Sequence, residues 1–194
     1  MIVLASSSAT RQAMLRNAGL NFVALAPALD EKALAAANPH WLPRETALRL
    51  AEAKAINVSL RHADAQVIGA DQVLALDNRV YGKPSNRAHC LAQLRALRGR
   101  THALISAVVL ARDGKAVWAH TDEALLTMRD YSDAFLEDYL EAIGDDCTKS
   151  VGGYKIEGRG VQLFRSVSGD HFTILGLPLV PLLQKLREAG EIAA

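Results

Sequence analysis

The chain has 194 residues, half of them hydrophobic, and its 22 basic and 21 acidic side chains nearly cancel. This balance argues against nonspecific binding to nucleic acid or to an anionic membrane, since both require an excess of positive charge. Aromatic residues make up 5% of the chain, so alanine, leucine and valine must form most of the core. The length fits one large domain or a molecule with two lobes.

The N-terminus and the two cysteines predict a soluble, cytoplasmic protein. Residues 1–6 lack a basic region, and their apolar run is too short for a signal peptide. The sequence contains no run of the roughly 18–20 apolar residues that a membrane span needs. Cys90 and Cys147 are far apart and lack CxxC spacing, which suggests neither a disulfide framework nor a zinc site. Two free thiols fit a reducing compartment.

The first segment combines a strand, a serine-rich loop and a helix. Residues 2–5 predict a buried strand, residues 6–8 are serines that end it, and a helix begins near Ala9. Backbone N–H groups at a helix N-terminus bind anions, and serine hydroxyls can add donors. Arg11 lies in the first turn, where a cation is unfavourable to the helix dipole. The pattern predicts an anion site, although the serines alone favour a simple cap at Ser8.

An acid and a lysine stand out in the next segment. After a short strand over residues 21–25, residues 27–43 are predicted to be irregular and contain Glu31 in an acidic pair. Such acids are usually solvated, and a metal ligand is the alternative reading. Residues 44–60 follow a helical pattern that places Lys54 on the apolar stripe. A lysine there either extends along the surface to water or reaches into a cleft.

Residues 66–76 form an apolar run that one acid, Asp71, interrupts. Strand formers flank this acid, and Gly69 allows another backbone to approach closely. A turn with the sequence Gly82-Lys83-Pro84 follows shortly afterwards. An acid in such a run, followed by a lysine-bearing turn, suggests a carboxylate that handles metal or water beside a cationic clamp. The alternative is that Asp71 caps a strand end or a turn.

The rest of the chain predicts more helices and strands around a glycine-rich loop. Hairpins are predicted at residues 77–78 and 113–114, helices over 86–97 and 133–142, and strands over 161–164 and 172–175. Four glycines within residues 152–160 exclude a regular element there. Strands and helices alternate early and strands pair later, so the sequence predicts a mixed α/β sheet.

Several enzyme classes lack their motifs in this sequence. The six histidines show neither HxH nor HExxH spacing. The sequence also contains no nucleophile elbow, no P-loop and no Rossmann fingerprint. Serine hydrolase, P-loop NTPase and dehydrogenase functions are therefore not supported.

Eight short blocks occur in an order that resembles the Maf family, from residue 2 to about residue 190. The blocks are Leu4-Ala5-Ser6-Ser7-Ser8 with Arg11, Asp30-Glu31, Lys54-Ala55, Gly69-Ala70-Asp71-Gln72, Gly82-Lys83-Pro84, Gly99-Arg100-Thr101-His102, Gly152-Gly153-Tyr154 with Glu157-Gly158, and Gly176-Leu177-Pro178. Each block is weak alone, and their shared order carries the resemblance.

The resemblance implies a cytoplasmic nucleoside triphosphate pyrophosphatase from a family historically linked to septum formation. Such an enzyme cleaves between the α- and β-phosphates and requires a divalent cation, Mg²⁺ or Mn²⁺. The implied fold is a single Maf/ITPase-like α/β domain over residues 1–194: an elongated, two-lobed mixed sheet flanked by helices, with a substrate cleft between the lobes. The expected partners are the nucleotide and, as a homodimer, a second copy of the chain. Neither nucleic acid nor a membrane is expected.

The resemblance also implies roles for individual residues. Asp71 matches the catalytic acid, expected to hold the metal or to deprotonate the attacking water, and Glu31 matches a second acid that handles metal or water. The cations expected around the triphosphate are Arg11, Lys54 and Lys83, and the phosphate loop includes Ser6 and Ser8. Several cations converging on one site suit phosphoryl transfer, which depends on positioning and charge stabilisation.

Residues that bear on the substrate depart from the common pattern. The family's Ser-Pro-Arg-Arg block reads Ser8-Ala9-Thr10-Arg11 here, so an uncharged Thr10 stands where an arginine influences substrate choice. Gln72 and Glu157 resemble the branch that acts on 7-methyl-GTP, whereas the dTTP and UTP branch usually carries Thr and Gln. The Glu157 carboxylate could pair with a guanine edge or with a cationic methylated base. Ser150 replaces a lysine of many relatives, so no fourth cation is carried over from there.

Two alternatives to a 7-methyl-GTP pyrophosphatase follow from the same residues. One is a dTTP/UTP pyrophosphatase of the same family. The other is a non-catalytic nucleotide-binding protein that regulates cell division. The retained acid and cations argue against the non-catalytic regulator. Turnover of triphosphates distinguishes an enzyme from such a regulator.

Overall fold

A seven-stranded sheet of mixed orientation, flanked by helices, organises residues 1–193, which the computed structural model describes. The strands are β1 (Ile2–Ala5), β2 (Val23–Ala24), β3 (Gln66–Leu76), β4 (Arg79–Tyr81), β5 (Thr101–Arg112), β6 (Lys115–Met128) and β7 (Phe164–Ser168). Their order is β2-β1-β3-β5-β6-β7, and β4 pairs with β3 off this path. The expected mixed α/β class is confirmed.

Seven α-helices accompany the sheet within the described part of the chain. They are α1 (Ala9–Asn17), α2 (Glu31–Ala36), α3 (Pro43–Ser59), α4 (Arg87–Leu97), α5 (Asp133–Ile143), α6 (His171–Ile174) and α7 (Leu179–Glu188). Short 3₁₀ segments cover Gly144–Thr148, Val151–Gly153 and Arg159–Leu163. Among residues 1–193, no helix combines the length and the apolar character needed to cross a membrane.

The chain folds into two compact units. The first contains Met1–Gln72, Ile105–Glu123 and the segment that begins at Asp170, and the second contains Val73–Leu104 and Ala124–Gly169. Strands β3, β5 and β6 contribute residues to both units. Each unit is described below by itself.

In the first unit, β1 is the central parallel strand between β2 and β3. Its register with β3 runs from Ile2 opposite Gln66 to Ala5 opposite Gly69. Apolar side chains from β1, α1, β3, β5 and α7 form one core, with Leu4, Leu15, Ile68, Leu177, Leu182 and Leu186 among its buried members. Because β1 and β3 are parallel and Ala5 lies opposite Gly69, the loop after β1 lies beside the residues that follow Gly69 in the middle of β3. This arrangement brings the serine loop to the level of Asp71.

Gly69 allows α3 to lie directly on β3. A methyl group at this position would come within 2.2 Å of the Ala51 carbonyl oxygen and within 2.7 Å of the Ala55 Cβ. We expect Gly69→Ala to lower the free energy of unfolding by about 3 kcal/mol, because backbone would have to move. Urea unfolding of Gly69→Ala beside Gly82→Ala, whose added methyl would meet nothing within 4 Å, measures this cost. Equal stabilities of the two variants would contradict the close approach.

In the second unit, α4 packs against α5 and the neighbouring 3₁₀ segments. The predicted turn at residues 77–78 is confirmed, since Asp77 and Asn78 have φ angles of 52° and 60°, as a tight hairpin turn requires. β6 and β7 pair antiparallel with an irregularity between Thr127 and Met128. The two cysteines are free and buried.

Three local predictions were wrong. Residues 161–164 are mostly a 3₁₀ segment, and the strand there begins only at Phe164. Residues 172–174 belong to α6 and Leu175 is its C-cap, so no strand forms there, because the Asp170 side chain accepts a hydrogen bond from the Thr173 backbone N–H and caps a helix. Asp30 caps α2 in the same way within the segment predicted to be irregular.

Candidate active site

Asp71 lies in the middle of β3, inside the first unit. It is 7% exposed, and its Oδ1 accepts a hydrogen bond of 2.6 Å from the Lys54 Nζ. Burial raises the pKa of the Asp71 carboxyl, while the positive charges of Lys54 and Arg11 act in the opposite direction. A carboxylate in mid-strand caps neither a strand end nor a turn. The structural alternative for Asp71 is therefore excluded.

Lys54 reaches inward from α3 and joins two carboxylates. Its Nζ lies 2.6 Å from the Asp71 Oδ1 and 2.8 Å from the Glu31 Oε2. The residue is 6% exposed, so the side chain does not extend along the surface to water. Of the two alternatives for a lysine on the apolar stripe, the structure shows the one in which the side chain reaches inward.

Glu31 is brought to Lys54 by α2, of which it is the first residue. Its side chain is 42% exposed. Of the two carboxylates that bind Lys54, that of Glu31 is therefore open to solvent, while that of Asp71 is enclosed. The neighbouring acid, Asp30, has a separate role as the N-cap of this helix.

Arg11 is held by two backbone carbonyls, those of Gly176 and Ala70. Its Nε donates to the Gly176 oxygen at 2.8 Å and its Nη1 donates to the Ala70 oxygen at 2.9 Å. Burial lowers the pKa of Arg11, and the negative charges of Asp71 and Glu31 oppose this shift. Two acids and two cations thus influence one another within the first unit.

The serine loop caps α1. The Ser8 Oγ accepts from the Arg11 backbone N–H at 3.4 Å, and the Ser6 Oγ accepts from the Ser8 backbone N–H at 3.2 Å. The capping role of Ser8 is therefore real. Since both hydroxyls accept in these bonds, their hydrogens stay available for an anion. Thr10 is half-buried in the first turn of the same helix.

Gln72 turns to the opposite face of β3 and binds protein groups. Its Nε2 lies 3.0 Å from the Ser106 Oγ and from the backbone oxygens of Thr173 and Ile174. The sequence reasoning missed Ser106 and Thr173. The available signal was a hydroxyl within each of two apolar runs, on β5 and in residues 172–175.

A model of the family described as Maf-like protein matches residues 1–189. The chain belongs to the Maf family. It is 53% identical to a protein named nucleoside triphosphate pyrophosphatase from Rhodopseudomonas palustris (strain BisB18), over 99% of this chain and 95% of the relative. It is 48% identical to a protein named 7-methyl-GTP pyrophosphatase from Rhizobium meliloti (strain 1021), over 100% of this chain and 98% of the relative. The solved structure of the Staphylococcus aureus Ham1 protein aligns with 97% of this chain and 98% of its own, at 15% identity and a TM-score of 0.46.

Two residues of the Maf pattern, Lys83 and Glu157, belong to the second unit, where both are exposed. The turn that carries Lys83 is held by Gln93, whose Nε2 donates to the Gly82 oxygen at 3.0 Å. The loop that carries Glu157 is anchored by Tyr154, whose hydroxyl lies 2.6 Å from the Nε2 of His102. Burial lowers the pKa of His102 to about 4, so this anchor is uncharged at neutral pH. The roles of Lys83 and Glu157 stay predictions.

Asp71 and Glu31 of this Maf chain suit a divalent cation that carboxylates and substrate phosphates bind together. Among residues 1–193, no group of three or more His, Cys, Asp and Glu side chains could hold a metal alone. Asp71 and Glu31 each use one carboxylate oxygen to bind Lys54, which leaves the second oxygen of each carboxylate to bind a cation. Mg²⁺ is typically bound by one or two carboxylates together with substrate phosphates and water. The donor set fits that pattern.

Proposed function

We propose that this protein is a nucleoside triphosphate pyrophosphatase that hydrolyses the bond between the α- and β-phosphates. The observation that carries the proposal is the buried carboxylate of Asp71, bonded to Lys54 and influenced by Arg11, in a chain of the Maf family. The names of the relatives from Rhodopseudomonas palustris and Rhizobium meliloti support the same reaction. The products are a nucleoside monophosphate and pyrophosphate.

In the proposed reaction, Asp71 acts as the general base. Its carboxylate takes a proton from water, the water oxygen bonds to the α-phosphorus, and the bond from that phosphorus to the bridging oxygen breaks. Pyrophosphate leaves with the electron pair. The raised pKa of Asp71 makes the carboxylate a stronger base than a solvated aspartate, which favours this proton transfer.

The cations stabilise the charge that the reaction redistributes. The Lys54 Nζ lies 2.6 Å from the Asp71 Oδ1, so its charge favours the ionised form of Asp71 until the carboxylate takes the proton. The same ammonium group can then stabilise the phosphate oxygens. Arg11 offers a guanidinium with fixed direction, and Ser6 and Ser8 offer hydroxyl donors. We assign Lys83 to the same triphosphate from its place in the Gly82-Lys83-Pro84 block. Phosphoryl transfer gains most from such positioned positive charge.

The proposal includes a divalent cation, Mg²⁺ or Mn²⁺, held by Asp71 and Glu31. When bound, such a cation would withdraw charge from the phosphate oxygens and favour departure of pyrophosphate. Its positive charge would also lower the pKa of Asp71, which burial raises. The two carboxylates alone supply too few ligands, so we expect the cation to bind together with the nucleotide.

For the substrate we propose 7-methyl-GTP, with dTTP or UTP as the alternative. Glu157 supports this choice, because a carboxylate can accept hydrogen bonds from a guanine edge and attracts a methylated, cationic base. Thr10 supplies no charge to the phosphate loop. We further propose a cytoplasmic location, supported by two free cysteines, and a homodimer, supported by family membership.

A panel of triphosphates with Mg²⁺ and Mn²⁺ tests the proposal, with pyrophosphate release as the readout. We expect turnover with either metal, none with EDTA, and a higher kcat/KM for 7-methyl-GTP than for UTP. A higher value for UTP would overturn the substrate assignment and leave the reaction intact. Tight binding of every triphosphate without turnover at any metal concentration would favour the non-catalytic regulator.

A further inference from the structure

Gln72 has no amide hydrogen left for a nucleobase. Its Nε2 lies 3.0 Å from each of three acceptors: the Ser106 Oγ, the Thr173 oxygen and the Ile174 oxygen. An amide nitrogen carries two hydrogens, so these acceptors use its full donor capacity. Reading a base through this nitrogen would require breaking bonds with partly buried backbone, which is costly.

Thr173 fastens α6 to the sheet through its backbone oxygen and its hydroxyl. Its backbone oxygen also accepts from the Ser106 Oγ at 2.8 Å, and its Oγ1 donates to the Asp122 Oδ2 at 2.8 Å. Its backbone N–H donates to the Asp170 Oδ1 at 2.9 Å. The residue is fully buried. Side chains of β3, β5 and β6 thus hold this short helix in place.

The turn that follows α6 carries one of the two carbonyls that orient Arg11. The Gly176 backbone N–H donates to the Thr173 oxygen at 3.0 Å, and the Gly176 oxygen accepts from the Arg11 Nε at 2.8 Å. The second carbonyl belongs to Ala70, which directly precedes Asp71. The guanidinium therefore spans from β3 to the turn after α6, and its direction depends on where that turn lies.

We propose that Gln72, Thr173 and Asp122 are positioning residues that hold the Gly176 carbonyl and thereby orient the Arg11 guanidinium toward the substrate's phosphates. The inference rests on the proposed function for the identity of the substrate. It gives Gln72 a different role from base selection. It also assigns a role to two residues outside the Maf blocks, Asp122 and Thr173.

Tripolyphosphate separates positioning from base reading because it has phosphates but no base. We expect Gln72→Met and Thr173→Val each to raise the Kd of tripolyphosphate about tenfold in calorimetry with Mg²⁺, through loss of charge-assisted bonds from Arg11. Their kcat/KM should fall by at least that factor for 7-methyl-GTP, GTP and UTP alike, with the ratios between substrates unchanged within about twofold. Thr173→Ser keeps the hydroxyl and should restore wild-type values.

Coupling to Arg11 distinguishes positioning from a general loss of stability. In an Arg11→Gln background, Gln72→Met should not raise the tripolyphosphate Kd further, because the guanidinium that it orients is gone. Thr127→Val is the matched control, since it removes a threonine hydroxyl that pairs with Thr101 at 2.9 Å in the second unit. Thermal melts of all variants test whether they are folded.

Two results would overturn the proposal. One is a changed ratio of 7-methyl-GTP to UTP turnover in Gln72→Met with an unchanged tripolyphosphate Kd, which would mean that Gln72 reads the base. The other is a full additional loss of affinity when Gln72→Met is combined with Arg11→Gln. If the wild type shows no turnover at all, the proposed function fails, and the tripolyphosphate measurements still decide the positioning role.

Discussion

Asp71→Asn is expected to lower kcat for pyrophosphate release by about a thousandfold or more on every triphosphate. The amide keeps the shape of the side chain but cannot take a proton from water, and it loses the charge that would attract a divalent cation. Removal of a general base alone costs roughly 10²–10⁴ in rate, and loss of the proposed metal ligand would add to this cost. Steady-state kinetics with Mg²⁺ and Mn²⁺ measures the effect. Retention of more than a tenth of wild-type kcat would reject Asp71 as the base.

The same substitution is expected to leave the melting temperature unchanged or to raise it. A folded-state pKa above the ordinary aspartate value means that burial disfavours the ionised carboxylate more than the neighbouring cations favour it. Asparagine avoids that cost, while Lys54 keeps its pair with Glu31 at 2.8 Å. If the variant is folded but inactive, the charge of Asp71 destabilises the fold and is required for the reaction. A large loss of stability would instead mean that Asp71 mainly holds the fold together.

The regular elements could be predicted from the sequence because local signals determined them. The apolar run around Asp71 predicted β3, and the periodic pattern of residues 44–60 predicted α3 within one residue at each end. The errors over residues 161–164 and 172–175 arose where apolar residues were too few to show a period. In the second of these segments, the side-chain cap provided by Asp170 stabilises a helix instead of a strand.

The members of the candidate site were predicted in part. Family order pointed to Arg11, Lys54 and Asp71, and the structure brings their charges together. What no pattern could show was the partner of each group: that Lys54 bridges two acids, or that Gln72 binds the backbone of α6. Such contacts join residues far apart in the chain, so they depend on strand register and helix placement rather than on spacing.

Lys54→Met is expected to lower both activity and stability, for one physical reason. Methionine fills a similar volume, but Asp71 loses its hydrogen bond of 2.6 Å and the largest charge that lowers its pKa. An acid left buried without its partner typically costs about 3–5 kcal/mol. We expect kcat/KM to fall at least a hundredfold, because the carboxylate is protonated more often and the phosphates lose a cation.

The stability difference between Lys54→Met and the wild type should shrink as the pH falls. In the variant, the folded-state pKa of Asp71 is raised further above the value of the unfolded chain, so the penalty grows as the pH rises through that interval. Below the unfolded-state pKa, Asp71 is protonated in both states and the penalty from its charge is absent. Thermal melts from pH 4 to pH 8 measure this dependence.

Combining Lys54→Met with Asp71→Asn provides the decisive control. The double variant contains neither the cation nor the uncompensated acid, so we expect it to recover most of the lost stability and none of the activity. Lys155→Met, which removes an exposed pair with Asp146, should change neither melting temperature nor rate appreciably. Failure of the double variant to regain stability would mean that Lys54 stabilises α3 by packing rather than through Asp71. Recovery of stability in the double variant would show that Lys54 and Asp71 act as an ion pair, in which the lysine allows an acid to remain ionised inside the protein.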